Sequence, residues 1–95
     1  MNRAKRILTG AADFLDLPAD ILAGLPKMEI IGFREFSIEP HHGLLEYDKE
    51  CIGIKSDLGR ICVLGTDLTI KLMNSRRISI CGKLMSIELR EGADA

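Results

Sequence analysis

Tryptophan is absent from this 95-residue sequence, and only four of its residues are aromatic. Proteins that bind single-stranded nucleic acid use aromatic rings as stacking platforms, and non-specific nucleic-acid binding requires a concentrated positive field. Thirteen basic and fourteen acidic residues leave this chain with a net charge of −1. The composition therefore argues against nucleic acid as a partner, and it predicts a core filled by aliphatic side chains.

The sequence also lacks a CxxC pair and a long apolar run. Its three cysteines, an odd number, are Cys51, Cys62 and Cys81, which we interpret as reduced thiols in a cytosolic protein. No stretch reaches the roughly 18 apolar residues that a membrane span needs. We do not expect the basic N-terminus to be a signal peptide, because glycine and aspartate interrupt its apolar part. We therefore expect a soluble, cytoplasmic chain.

What the sequence does contain falls into two regions of different periodicity, 1–26 and 27–95. In the first region apolar residues recur at intervals of three and four, which is typical of an amphipathic helix, and a shorter helix is predicted between Asp16 and Gly24. Pro26 prevents that helix from continuing. We predict a single domain made of an N-terminal helical segment (1–26) and a β domain (27–95).

The second region alternates apolar and polar residues, as β-strands do when one face is buried. Glycine occurs where the alternation changes phase, which indicates a turn, bulge or bend. The predicted structural turns lie at Gly32, Pro40, Gly43, Gly65 and Gly82. The predicted strands cover residues 28–32, 34–39, 44–48, 51–55, 60–64, 67–73, 76–81 and 84–90.

These strands predict a mainly β fold, for which two arrangements stay open. An antiparallel meander curled into a small roll or sandwich, with an N-terminal amphipathic helix, needs the fewest assumptions. A weak repeat also fits a short β-solenoid. Its copies are "IIGFREFSIE", "VLGTDLTIKL" and "ICGKLMSIEL". Their uneven spacing favours the meander.

The stretch "EPHHG" (39–43) holds both histidines of the chain, close to several acidic residues and Cys51. A metal- or thiol-dependent enzyme is one hypothesis, but adjacent histidines diverge and zinc ligands favour wider spacings. Pro40 and Gly43 bracket the pair as in a reverse turn, and "EYDKE" (46–50) is typical of a solvated hairpin tip. We therefore predict a hairpin corner, with no catalytic or metal-binding residue and no cofactor.

The basic, amphipathic start of the chain is the remaining candidate for function. Its side chains could lie on an anionic membrane surface or dock into a partner protein. Alternatively, the segment packs across one face of the sheet and completes the core. The candidate contact residues are Arg3, Lys5, Arg6, Ile7, Leu8, Phe14 and Leu15.

Several motifs follow one another in a recognisable order: "LDLPADILAGLP", "MEIIG", "IEPHHGLLEY", and "VLGTDLTIK" leading into "ISICGKLMSIEL". Their order and spacing resemble the YabP/YqfC family of small sporulation proteins, the YqfC branch in particular, over about residues 12–89. The resemblance implies a product of endospore-forming bacteria that is made in the mother cell. It carries no enzymatic activity or cofactor, and it implies a membrane partner of the YqfD type.

From this resemblance we expect a non-enzymatic adaptor or scaffold in the mother-cell cytoplasm, at the membrane that surrounds the forespore. Its binding element would be an exposed strand edge or the apolar face of the N-terminal segment. The alternative is a self-assembling β protein of the spore envelope, which would be a homo-oligomer or a filament.

Overall fold

Six β-strands build the part of the chain that the computed structural model describes, residues 25–92. The predicted helices lie outside the described residues. Within the described range no helix is long and apolar enough to cross a membrane. The strands are β1 (Lys27–Ile31), β2 (Glu35–Glu39), β3 (Leu44–Asp48), β4 (Cys51–Ser56), β5 (Gly59–Met73) and β6 (Ile78–Glu91).

All six strands join one open antiparallel sheet in the order β1-β2-β6-β5-β4-β3. The prediction of a mainly β, antiparallel fold is confirmed. A solenoid stacks its coils in parallel, so that alternative is wrong for the described strands. Because hydrogen bonds connect every strand to one sheet, the described part of the chain is not a sandwich of two separate sheets.

Strands β5 and β6 form a long central hairpin, with β1 and β2 on the β6 side of the sheet and β3 and β4 on the β5 side. The sequence predicts two strands in each of these stretches, and this division is wrong. The register shifts between Leu64 and Gly65, and again between Thr66 and Thr69, while the pairing continues on both sides. Bulges of this kind move side chains to the other face without ending the ladder. The phase change near Gly82 (φ +142°) therefore marks a bend inside one strand.

Two short hairpins flank the long hairpin: β1–β2 lies beside one half of its length, and β3–β4 lies beside the other half. Strand β2 pairs with β6 only through residues 78–81, and β4 pairs with β5 only through residues 59–64. The apolar faces of the two halves contribute to one core cluster, so the sheet bends around a shared interior. The buried members of the cluster are Phe36, Ile38, Ile52, Ile54, Ile61, Val63, Leu68, Ile78 and Ile80.

The segment 40–43 connects the two halves, and the predicted hairpin corner there is wrong. The strands on either side of it, β2 and β3, lie at different places in the sheet order and do not pair with each other. The segment instead runs beside β4: His42 N donates to Lys55 O at 2.8 Å, and Lys55 N donates to Gly43 O at 2.9 Å. Proline and glycine change the chain direction here, but the next strand pairs with β4 rather than with β2.

Candidate functional site

His41 is a buried structural residue of this connection. Gly43 N donates to its Nδ1 at 3.0 Å, and its Nε2 donates to Asn74 O at 2.7 Å. The backbone N of His41 also donates to Arg76 O at 3.1 Å. Since both ring nitrogens are engaged, the imidazole is held as the Nε2–H tautomer. His41 therefore joins the β2–β3 connection to the turn between β5 and β6.

His42 has a different environment from its neighbour. Its side chain is exposed and its Nε2 lies 2.7 Å from Asp57 Oδ1, in the turn between β4 and β5. A surface pair of this kind contributes little to stability. Within residues 25–92 no group of three or more histidine, cysteine or acidic side chains is arranged to hold a metal ion.

Two thiols lie near one arginine on the outer face of β4 and β5. Arg60 Nε donates to Cys62 Sγ at 3.2 Å, and the same guanidinium forms a salt bridge to Glu46 on β3. It crosses above Gly53, where an added Cβ would lie 3.0 Å from Arg60 Nη2. This lack of a side chain at Gly53 lets one arginine connect three neighbouring strands.

The electrostatics of this cluster favour a protonated thiol. Partial burial raises the pKa of the Cys51 thiol, and the neighbouring Glu46 carboxylate raises it further. A thiol is a nucleophile and a metal ligand only as the thiolate. Neither histidine reaches the cluster, because His41 and His42 bind the groups described above. The arrangement is therefore suited to holding strands together rather than to thiol chemistry.

Two clefts lie next to each other where the turn between β4 and β5 approaches β1 and the end of β6. The first has a volume of about 310 Å³ and a mainly apolar lining that includes Met28, Leu58, Ile61 and Leu89. The second is more polar and includes His42, Lys55 and Asp57 in its lining. The two clefts share Ser56, Gly59 and Arg60.

A surface of exposed apolar side chains surrounds the edge strand β1. All five residues of β1 are exposed, and the strand pairs on one side only, with β2. We define the β1 edge surface as Met28, Ile30, Ile31 and Phe33, whose exposed fractions are 37, 54, 61 and 75%. Exposed apolar groups that cluster in this way mark interaction sites. This is the strongest candidate functional site among the described residues.

Phe33 is the most unusual member of the β1 edge surface. It follows Gly32 in the three-residue turn between β1 and β2, and both residues have positive φ, +60° and +55°. Positive φ is uncommon for a bulky side chain. Leu84 N donates to Phe33 O at 2.8 Å, and Gly82 N donates to Arg34 O at 3.1 Å, which fixes the turn against β6. The fold thus presents an aromatic ring to solvent on an anchored turn.

The candidate contact residues and the predicted turn residues lie in different parts of the chain. The seven candidate contact residues between Arg3 and Leu15 lie outside the described residues. Gly32 lies in the turn after β1, Pro40 and Gly43 lie in the connection between the halves, and Gly65 and Gly82 lie at the bulges of the long hairpin. The acidic stretch 46–50 includes the tight turn between β3 and β4, at Lys49 and Glu50.

The sequence pattern does not identify Ile30, Ile31 or Phe33 as contact residues. One signal was present, because an aromatic residue follows a glycine at a predicted turn, where a polar residue is usual. The sequence does not predict that Ile30 and Ile31 are exposed, because their exposure depends on β1 being an edge strand.

Comparison with known proteins shows where this chain belongs. The YabP family matches residues 24–95, which include all six strands. A protein of Bacillus subtilis (strain 168) named "Uncharacterized protein YqfC" is 29% identical over 83 residues, covering 87% of this chain and 86% of the relative. No solved structure matches the chain with significance. Since the family match covers most of the sequence, the chain belongs to the YabP family.

Proposed function

We propose that this chain is a non-enzymatic sporulation protein of the mother cell, which acts as an adaptor or scaffold for a membrane protein of the YqfD type. Its place would be the cytoplasmic face of the membrane around the forespore. Membership of the YabP family and similarity to YqfC support the link to sporulation. The observation that carries the adaptor role is the β1 edge surface.

The chemistry of the β1 edge surface suits a protein partner. The free side of β1 offers backbone N–H and C=O groups to an added strand. Met28 and Ile30 lie on the face that continues into the core, because they pair with Ile38 and Phe36. Ile31 lies on the opposite face. A partner strand placed along β1 would therefore cover apolar side chains on both faces of the sheet.

Phe33 would add a side-chain anchor to this strand pairing. Burying its exposed ring would contribute about 1–2 kcal/mol, or roughly a 5–30-fold change in affinity. Exposed aromatic residues held on rigid elements are frequent binding hot spots. The fixed turn also means that little conformational entropy is lost when the ring becomes buried.

The proposal is tested by crosslinked pull-down from sporulating cells, with the membrane partner detected by antibody or mass spectrometry. Phe33→Asp and Ile30→Lys should recover much less of the YqfD-type protein than the unchanged chain. Tyr47→Asp is the matched control, because Tyr47 is an exposed aromatic residue on the other edge strand, β3. Equal recovery with all three variants would refute the role of the β1 edge surface.

A further inference from the structure

The first of the two clefts, which we call the apolar cleft, opens on the core face of the sheet. Ile61 and Leu89 pair directly across β5 and β6, so their side chains lie on the same face, and Ile61 is a buried member of the core cluster. Met28 lies on the core face as well, because it pairs with Ile38. The apolar cleft is therefore a gap in the cover of the core, between the start of β1 and the end of β6.

Three apolar side chains of the cleft lining are open to solvent. Leu89 is 65% exposed, Leu58 is 50% exposed and Met28 is 37% exposed, whereas Ile61 is buried. Concave surfaces with a mainly apolar lining are the places where proteins bind apolar groups. An apolar occupant of the cleft would remove all three side chains from water together.

The chain enters the described part of the structure at the rim of the apolar cleft. Pro26 belongs to the cleft lining, and Leu25 and Pro26 are both half-buried, although every residue of β1 after them is exposed. The residues just before Leu25 therefore start within reach of the cleft. A segment tethered so closely meets its site at a high effective concentration, so that a few weak contacts are enough to hold it there.

The sequence of residues 16–24 suits this cleft in its apolar side chains. This is the stretch for which a short helix is predicted between Asp16 and Gly24. Leu17 and Ile21 are four residues apart, so they would lie on one face of such a helix. That face matches the apolar lining of the cleft.

The charges of the segment also complement the cleft. The charged residues of 16–24 are Asp16 and Asp20. Arg60, Arg90 and Glu91 belong to the cleft lining, which leaves the lining with a net positive charge. Arg60 already binds Glu46. Arg90 is the better partner for a carboxylate, because its contact with Glu88 is long, at 3.9 Å.

We propose that residues 16–24 occupy the apolar cleft of their own chain, with Leu17 and Ile21 against Leu58 and Leu89. The segment then closes the core between β1 and the end of β6. Its apolar face serves the interior of the domain rather than a membrane or another protein.

The docked segment leaves most of the β1 edge surface accessible. Phe33 lies beyond the opposite end of β1 from Pro26, and Ile31 lies on the face of the sheet opposite to the core. All seven candidate contact residues of the N-terminal segment precede residue 16. The proposal therefore does not rest on the adaptor function, and it is tested without the membrane partner.

Hydrogen exchange of the full-length chain, followed by mass spectrometry, tests the proposal on peptides that contain residues 16–24. Their amides should exchange more slowly than in the urea-unfolded chain, and Leu89→Asp should speed this exchange at least about tenfold, because burial of one leucine shifts an equilibrium by that factor or more. Leu72→Asp is the matched control, an exposed leucine outside the cleft, and should leave the exchange unchanged. Unprotected amides in the unchanged chain, or equal exchange in the two variants, would overturn the proposal.

The same measurement distinguishes the other possible occupants. Protection within one chain should be independent of protein concentration, and it should be present without lipid. Protection that rises with concentration would assign the segment to a second copy. Protection that requires phosphatidylglycerol vesicles would assign it to a membrane surface. Either result would overturn the proposal.

Crosslinking tests the contact without adding a charge to the cleft. In a background without the native cysteines, Ile21→Cys together with Leu89→Cys should react with a short bismaleimide to give a crosslink within one chain. Ile21→Cys together with Leu72→Cys should crosslink poorly. No crosslink with the first pair, or equal crosslinking of the two pairs, would overturn the proposal.

Discussion

Replacing His41 by alanine removes the side chain that joins the β2–β3 connection to the turn between β5 and β6. His41 is 8% exposed and engages both ring nitrogens, one with Gly43 and one with Asn74. Each lost hydrogen bond costs about 1 kcal/mol, and the unpaired groups and the cavity add a similar amount, so we expect a loss of about 2–4 kcal/mol. For a domain of this size that corresponds to a fall in Tm of roughly 10–25 °C.

His42→Ala is the matched control for this prediction, because the two histidines are adjacent and chemically identical. The side chain of His42 makes a surface contact to Asp57, and its bond to Lys55 uses the backbone, which alanine retains. We expect this variant to lose less than about 1 kcal/mol. Urea unfolding followed by far-UV circular dichroism measures both values. Equal losses, or a larger loss for His42→Ala, would refute the structural role assigned to His41.

Three further predictions concern other parts of the chain. Gly65→Ala should unfold the protein or lower its stability severely, because the new Cβ would lie 2.1 Å from Lys83 O. Gly32→Ala meets no atom within 4 Å and should lower the free energy of unfolding by only about 1–2 kcal/mol. Thermal unfolding compares the two variants, and similar losses of stability would contradict the account. In a variant that keeps Cys51 as its one cysteine, the pH midpoint of iodoacetamide labelling should lie above that of the urea-unfolded chain, because burial raises the pKa of the thiol. Since the raised pKa favours the protonated form in the folded state, stability should also fall as pH rises above the pKa of the unfolded thiol. Deleting residues 1–17 should reduce co-purification with the membrane partner if that segment contributes to binding, and undiminished recovery would limit the contact to the β domain.

The positions of most strands were predictable from the sequence because alternation is a local signal. The four short strands start and end within about two residues of the predicted bounds. The joining of the predicted strands into β5 and β6 was not predictable, since a bulge at Gly65 and a turn both appear as a change of phase. Which strands pair with each other could not be predicted either, because strand pairing depends on contacts between residues that are distant in the sequence.

The two histidines show the same limit at the level of a site. Pro40 and Gly43 correctly indicate a change of direction, but a four-residue pattern does not determine which strand the chain joins next. Burial of His41 follows from the position of Asn74, which lies 33 residues away in sequence. The exposure of Phe33 is likewise a property of the whole sheet, because it depends on β1 being an edge strand.

The central claim is that the β1 edge surface binds a membrane partner of the YqfD type, and a binding measurement with purified components tests it most directly. The full-length chain would be titrated onto the detergent-solubilised partner, together with Phe33→Asp and Tyr47→Asp. The account predicts that Phe33→Asp weakens the affinity by at least about fivefold, while Tyr47→Asp leaves it unchanged. Identical affinities for Phe33→Asp and the unchanged chain, or no binding by the unchanged chain, would contradict it.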